Sequence, residues 1–194
     1  MRYTITSQQF DFLRREQHIE FEGFYSPEEI ATLKSQLDEA RNKNATGRDL
    51  ERGNEPLYKA LKFSRLGQAV AALFNKKKLK VAFTQYYPPY QTIDALEDLS
   101  SVTELVGGAL INLSSEPMPD FPYLPMEQGD VGFYKQEFPI DFSQLELPVL
   151  LIAFATEKAR YKLQEKDPHT HLLKKLGYGF GDTLAEETHP LIIK

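Results

Sequence analysis

The spacing of hydrophobic residues changes character at Asn75, and that change limits the chain to a small set of folds. Before Asn75 the period is helical. Ser26-Pro27-Glu28-Glu29 reads as a helix start: Ser26 caps, Pro27 takes the first helical position and Glu29 completes a capping box. Ile30, Leu33, Leu37 and Ala40 then fall on one face. The same spacing predicts a helix from near Ser7 that uses Phe10 and Leu13, a short helix from Pro56 through Leu61, and another carrying Leu66, Ala69, Val70, Leu73 and Phe74. Residues 42–54 are polar and read as a loop.

After Asn75 the period is that of strands. Leu79 to Tyr87 alternates, with Val81, Phe83, Gln85 and Tyr87 on one side and Ala82, Thr84 and Tyr86 on the other, until Pro88-Pro89 ends it. Residues 90–103 read as an acidic turn region. Leu105 to Leu113 reads as a second strand interrupted by Gly107-Gly108, and Pro117 to Pro125 as a proline-rich stretch. Gly129-Asp130 forms a tight turn into a strand from Val131 to Tyr134, and Pro148 to Thr156 is apolar enough for a buried strand. A short helix is expected where Asp167-Pro168 opens the tail.

Helices first and strands after point to an α+β chain, an antiparallel sandwich or barrel with N-terminal helices packed against it. The length of 194 residues suits one domain, residues 1–194: 1–75 mainly helical, 79–160 a mainly β core and 161–194 a mixed tail. With 23 basic and 28 acidic residues the net charge is −5, which argues against a nucleic-acid partner. The absence of cysteine excludes disulfides, thiolate catalysis and Cys-ligated metals. No apolar run reaches the roughly 18 residues of a membrane span. Met1 to Phe12 has no signal-peptide core, so the expected address is cytoplasmic.

Three segments together resemble the phytanoyl-CoA dioxygenase-like branch of the Fe(II)/2-oxoglutarate-dependent oxygenases. Phe21-x-Gly23-Phe24 before the capped helix resembles that family's opening strand and helix. Tyr86-Tyr87-Pro88-Pro89 followed by Thr92-Ile93-Asp94 resembles the stretch leading into its His-x-Asp metal motif. Gly108 to Leu113, then Gly129-Asp130-Val131-x-Phe133, then Pro148 to Phe154, resemble the strand after that motif, the turn before the second metal histidine and the strand bearing the co-substrate arginine. The resemblance spans most of residues 19–160 and implies a double-stranded β-helix, a jelly roll.

The departures from the family are specific. Its iron is held by two histidines and a carboxylate. Thr92 stands where the first histidine belongs, although Asp94 is retained. The second histidine falls near Ile140 or Asp141, and the arginine near Leu147 or Pro148. The four histidines are His18, His169, His171 and His189, so none lies between residues 19 and 168 whatever the register. No catalytic residue, metal or other cofactor is therefore expected. The resemblance implies an oxygenase-like fold without oxygenase activity, binding a small molecule or a protein in or beside a degenerate pocket. Tyr86, Thr92, Asp94 and Asp141 are its candidate pocket residues.

Other constellations carry weaker chemistry. Asp167, His169, His171 and His189 offer an alternative metal site for an enzyme or sensor, though a helix after Asp167-Pro168 would point His169 and His171 apart. Lys76-Lys77-Lys78-Leu79-Lys80 is the dense basic run that a metal-dependent DNA-binding regulator would use, and it otherwise reads as a solvated turn. Asp94, Glu97, Asp98 and Glu104 offer oxygen ligands for a cation, and otherwise read as a solvated acidic loop. Gly177 to Asp182 reads as a flexible turn.

Overall fold

The computed structural model of the chain describes residues 5–88, 90–116 and 123–193. Four α-helices come first: α1 (Ser7–Glu16), α2 (Pro27–Lys43), α3 (Glu55–Ala60) and α4 (Phe63–Leu73). Strand β1 (His18–Phe21) sits between α1 and α2. The remaining strands are β2 (Leu79–Tyr86), β3 (Thr92–Ile93), β4 (Leu105–Asn112), β5 (Val131–Lys135), β6 (Ile140–Asp141), β7 (Val149–Thr156) and β8 (Leu191–Ile193). The proline-rich stretch lies partly outside the described residues, at 117–122, as does Pro89. No described helix is long and apolar enough to cross a membrane.

Local chemistry sets the helix starts. Ser26 Oγ accepts from Glu29 N while the Glu29 carboxylate accepts from Ser26 N, a reciprocal capping box, and Thr6 and Gln9 build the same device on α1. The apolar stripe of α2 is buried as its spacing requires: Ile30, Leu33, Leu37 and Ala40. On α1 only Leu13 is buried among the helix residues; Phe10, expected beside it, is exposed because α1 meets the rest of the protein along a narrow line through β1.

Six strands form one sheet in the order β1-β5-β4-β7-β2-β8, and β3 pairs with β6 in a separate two-stranded sheet. Every pairing of these strands is antiparallel. Along β7, Leu150, Ile152 and Phe154 face the helices, while Val149, Leu151, Ala153 and Ala155 face the two-stranded sheet. The large sheet is thus covered on both faces, which is why β7 is apolar without interruption. The expected alternation of residues 79–87 is broken by a register shift between Val81 and Phe83. The shift turns both Ala82 and Phe83 toward the small sheet and leaves Tyr86 facing the helices. Residues 44–54 cover the far half of the β2 edge: Tyr86 N donates to Gly47 O, Asp49 N donates to Thr84 O, and Arg48 bridges Gln85.

The Gly129-Asp130 turn joins three elements. Gly129 N donates to Asn112 O, Gly129 O accepts from Tyr25 N, and the buried Asp130 carboxylate accepts from Gly23 N and Glu127 N. Gly129 has φ +92°, and a Cβ there would sit 2.5 Å from the Tyr25 carbonyl oxygen. Gly129→Ala combines a strained backbone with a clash against main chain, so the urea midpoint is expected to report a loss of about 2 kcal/mol or more. A stability equal to the unsubstituted protein would contradict this account of the turn.

Candidate functional site

Strands β3 and β6 bring two of the expected pocket residues face to face. Thr92 is paired in register with Asp141, and Thr92 Oγ1 donates to Asp141 Oδ1 at 2.9 Å. Ser143 N donates to the same oxygen at 2.9 Å. Hydrogen bonds from Ser143 and Thr92 hold the Asp141 carboxyl below its usual range, so it is an anion already served by local donors. The other two residues lie elsewhere. Asp94 is exposed and paired with Lys166 Nζ at 3.3 Å. Tyr86 is buried on the helix face of the large sheet, its hydroxyl donating to Asp38 Oδ1 at 2.7 Å. Burial and the Asp38 carboxylate both raise the Tyr86 pKa. The four residues therefore do not line one cavity.

Packed side chains fill the space beneath Thr92 and Asp141. Ile93 and Ile140 of the small sheet meet Phe83, Leu110, Tyr134, Phe142 and Leu151 in one cluster, each of these seven at most 1% exposed. At the end of this cluster sits a buried arginine that the sequence reading passed over. The Arg48 guanidinium lies 3.8 Å from the centre of the Phe83 ring, and Nη2 donates to Leu99 O at 2.9 Å. Arg48 Nη2 lies 3.5 Å from Asp167 Oδ2, with the two side chains 5% and 0% exposed. That oxygen makes no hydrogen bond, so the pair is held by charge across the gap. Burial pushes the Arg48 pKa down, while Asp49 and Asp167 oppose the shift. An arginine within the polar run 44–54 reads as solvated, and nothing local in the sequence shows that it is buried.

Asp167 belongs to a strap formed by the C-terminal tail. Lys166 bonds Asp94 and Asp98, Lys162 bonds Glu97, and Gln164 Nε2 donates to Glu97 O. The acidic loop is thus answered by lysines of the tail. The tail is less helical than expected: turns occupy the region of Asp167 to Leu172, with Asp167 Oδ1 accepting from His169 N, and only a 3-10 turn at Leu173–Leu176 follows. The Gly177 to Asp182 turn is pinned, Asp182 Oδ2 accepting from Gly179 N and Tyr161 O from Gly181 N. The basic run is not a uniformly solvated turn either, because Lys80 is buried and its Nζ donates to Leu184 O.

The histidine trio does not assemble. His169 lies close enough to Arg48 for that charge, with burial, to lower its pKa. His171 faces the Phe180 ring, and His189 is 1% exposed with Nδ1 3.0 Å from Thr188 Oγ1. Among the described residues no three His, Cys, Asp or Glu side chains are grouped to hold a metal ion.

No family model and no curated protein matches this chain. Solved structures do. The α-ketoglutarate-dependent carbocyclase SnoK from nogalamycin biosynthesis aligns with TM-score 0.73 at 14% identity, covering 96% of each chain. The epimerase SnoN from the same biosynthesis aligns with TM-score 0.73 at 12% identity, covering 96% of this chain and 95% of SnoN. CT296 from Chlamydia trachomatis aligns with TM-score 0.52 at 17% identity, covering 80% of this chain and 97% of CT296. The fold is that of the non-heme Fe(II)/2-oxoglutarate-dependent oxygenases. The residues at the resembling positions do not fit an iron centre of that kind. Thr92 and Asp141 are bonded to each other, Asp94 is bound to a lysine, and no imidazole lies within reach in sequence.

Two outcomes follow. Asp167→Ala takes from the buried Arg48 one of the carboxylates that favour its charge, so a loss of about 3 kcal/mol is expected in urea denaturation. The double change Arg48→Met with Asp167→Leu should recover part of it; equal losses would contradict a charge-based strap. His189 has its pKa pushed from 6.5 down to about 3 by burial and by the Arg52 and Lys80 charges. Its neutral ring stabilises the fold above the unfolded pKa, and this contribution is lost as pH falls toward the folded value. The stability advantage over His189→Gln should therefore shrink from neutral pH to about pH 4; a constant difference would contradict the assignment.

Proposed function

We propose that this protein is a jelly roll of the 2-oxoglutarate oxygenase type that works by binding, a small molecule or a protein, without iron-dependent oxidation. The two-stranded sheet facing the six-stranded sheet across a shared core supports the jelly-roll reading, as does the likeness to SnoK and SnoN. The Thr92 to Asp141 hydrogen bond carries the functional part. It joins Thr92, which stands where the first iron histidine belongs, to Asp141, one of the two residues near which the second falls, so that both are served by each other on the exposed face of the small sheet. The packed interior below the pair and the strap through Asp167 and Lys166 support the same reading. Fold alone does not carry activity across such a change of residues.

The test is metal content of protein purified without a histidine tag, then anaerobic titration with Fe(II) and 2-oxoglutarate and an assay of 2-oxoglutarate turnover. The expected result is no stoichiometric iron, no saturable 2-oxoglutarate binding and no turnover. Iron-dependent binding of 2-oxoglutarate in a one-to-one complex would overturn the proposal.

A further inference from the structure

A cavity of about 610 Å³ opens on the helix side of the large sheet, away from the small sheet. Its walls come from residues 51–58, the start of α4, β2 and the C-terminal residues 187–190. Phe63, Val81, Leu176 and Pro190 supply apolar surface. That volume and lining suit a small organic ligand, since such sites are mostly apolar with a few placed polar groups.

The polar groups identify the chemistry. Arg52 Nη2 donates to Ala82 O and lies 3.3 Å from Asp49 Oδ2, but Nη1 is buried without a partner. His189 Nε2 is also buried without a partner. A chain of hydroxyls engages His189 Nδ1. Tyr178 Oη accepts from Ala185 N and lies within hydrogen-bond distance of Thr188 Oγ1, which is 3.0 Å from His189 Nδ1. The competing acceptor for Thr188, Ala185 O, lies at the 3.4 Å limit. Two lining residues thus each hold a buried nitrogen without a partner, one of them cationic. Orphaned buried nitrogens of this kind call for a partner.

We propose that this cavity binds a small organic carboxylate with an apolar body, its carboxylate accepting from Arg52 Nη1 and His189 Nε2. The site extends the small-molecule reading above but does not share its location. Loss of this site leaves the absence of iron chemistry standing, and iron-dependent turnover leaves this site standing.

Glu51 makes the site pH-dependent. Its carboxyl is buried against Thr84 of β2, which donates to it. Burial and the Asp49 charge push its pKa from 4.5 to about 7 against the pull of Thr84 and Arg52. Arg48 also acts on it from the same loop, and burial together with the Glu51 charge raises the pKa of Tyr58 on α3. His189 and the exposed Glu187 face the cavity from the C-terminal segment; Glu55, at the rim on α3, is paired with Lys59 at 2.6 Å. Below its pKa Glu51 is neutral and does not repel a bound anion; above it the repulsion appears.

The test is calorimetric titration of the full chain with benzoate, and with benzylamine and benzyl alcohol as probes of the same body and different charge. Benzoate is expected to bind more tightly than either, at unit stoichiometry, and to weaken about tenfold between about pH 6 and about pH 8. Glu51→Gln should abolish that pH dependence. Leu176→Trp, at a half-exposed wall position, should block binding without lowering the melting temperature, whereas Arg52→Gln weakens binding but also breaks contacts of the fold. Absence of benzoate binding, equal or tighter binding of benzylamine or benzyl alcohol, a pH dependence unchanged in Glu51→Gln, or full affinity in a folded Leu176→Trp would each overturn the proposal.

Discussion

Strand β7 is hydrogen-bonded on both edges, to β4 and to β2, and buried on both faces. A strand in that position has no exposed surface of its own, so its two faces must be covered by different layers. Helices α2 and α4 cover one face with Leu33, Leu37, Leu66 and Val70, and the small sheet covers the other with Ile93 and Ile140. The placement of every polar group considered above follows from which layer it joins. Tyr86 belongs to the helix layer, and Thr92 and Asp141 to the rim of the small sheet.

That division separates two kinds of polar chemistry. On the small-sheet side, charged groups are answered within the chain: Asp141 accepts from Thr92, Asp94 and Asp98 pair with Lys166, and Arg48 with Asp167. A buried ion pair such as Arg48 with Asp167 adds little net stability, but breaking it leaves a charge stranded, which fixes the tail in one position. On the helix side the groups are less complete. Arg52 and His189 each keep a buried nitrogen without a partner beside an open cavity. Among the described residues the core beneath the small sheet is packed, and the unpartnered nitrogens of Arg52 and His189 lie on the other side of the large sheet.

Much of the fold was legible in the sequence because it depends on local rules. The Ser26 capping box, the Ile30 to Ala40 stripe and the apolar run of β7 each follow from near neighbours. The two-residue strands β3 and β6 were not legible, since neither is long enough to show a period. The register shift at Val81 reversed the expected orientation of Phe83, so strand alternation misjudged the faces. For the site, the absence of histidine between residues 19 and 168 excluded the family's iron ligands without any structure. The partnership of Thr92 with Asp141 was visible only as two separate positions of a resemblance. Arg48 and Glu51 were invisible because a polar run such as 44–54 reads as solvent-facing, and their burial depends on long-range packing against β2 and the tail.

The central claim is that Thr92 and Asp141 are bonded to each other and hold no metal. Anomalous diffraction from crystals of the protein grown with Mn(II) and 2-oxoglutarate tests it most directly. The account predicts no anomalous peak within coordination distance of Thr92, Asp94 or Asp141, and an intact hydrogen bond between Thr92 and Asp141. A peak ligated by Asp141 or Asp94, with 2-oxoglutarate on the same ion, would contradict it.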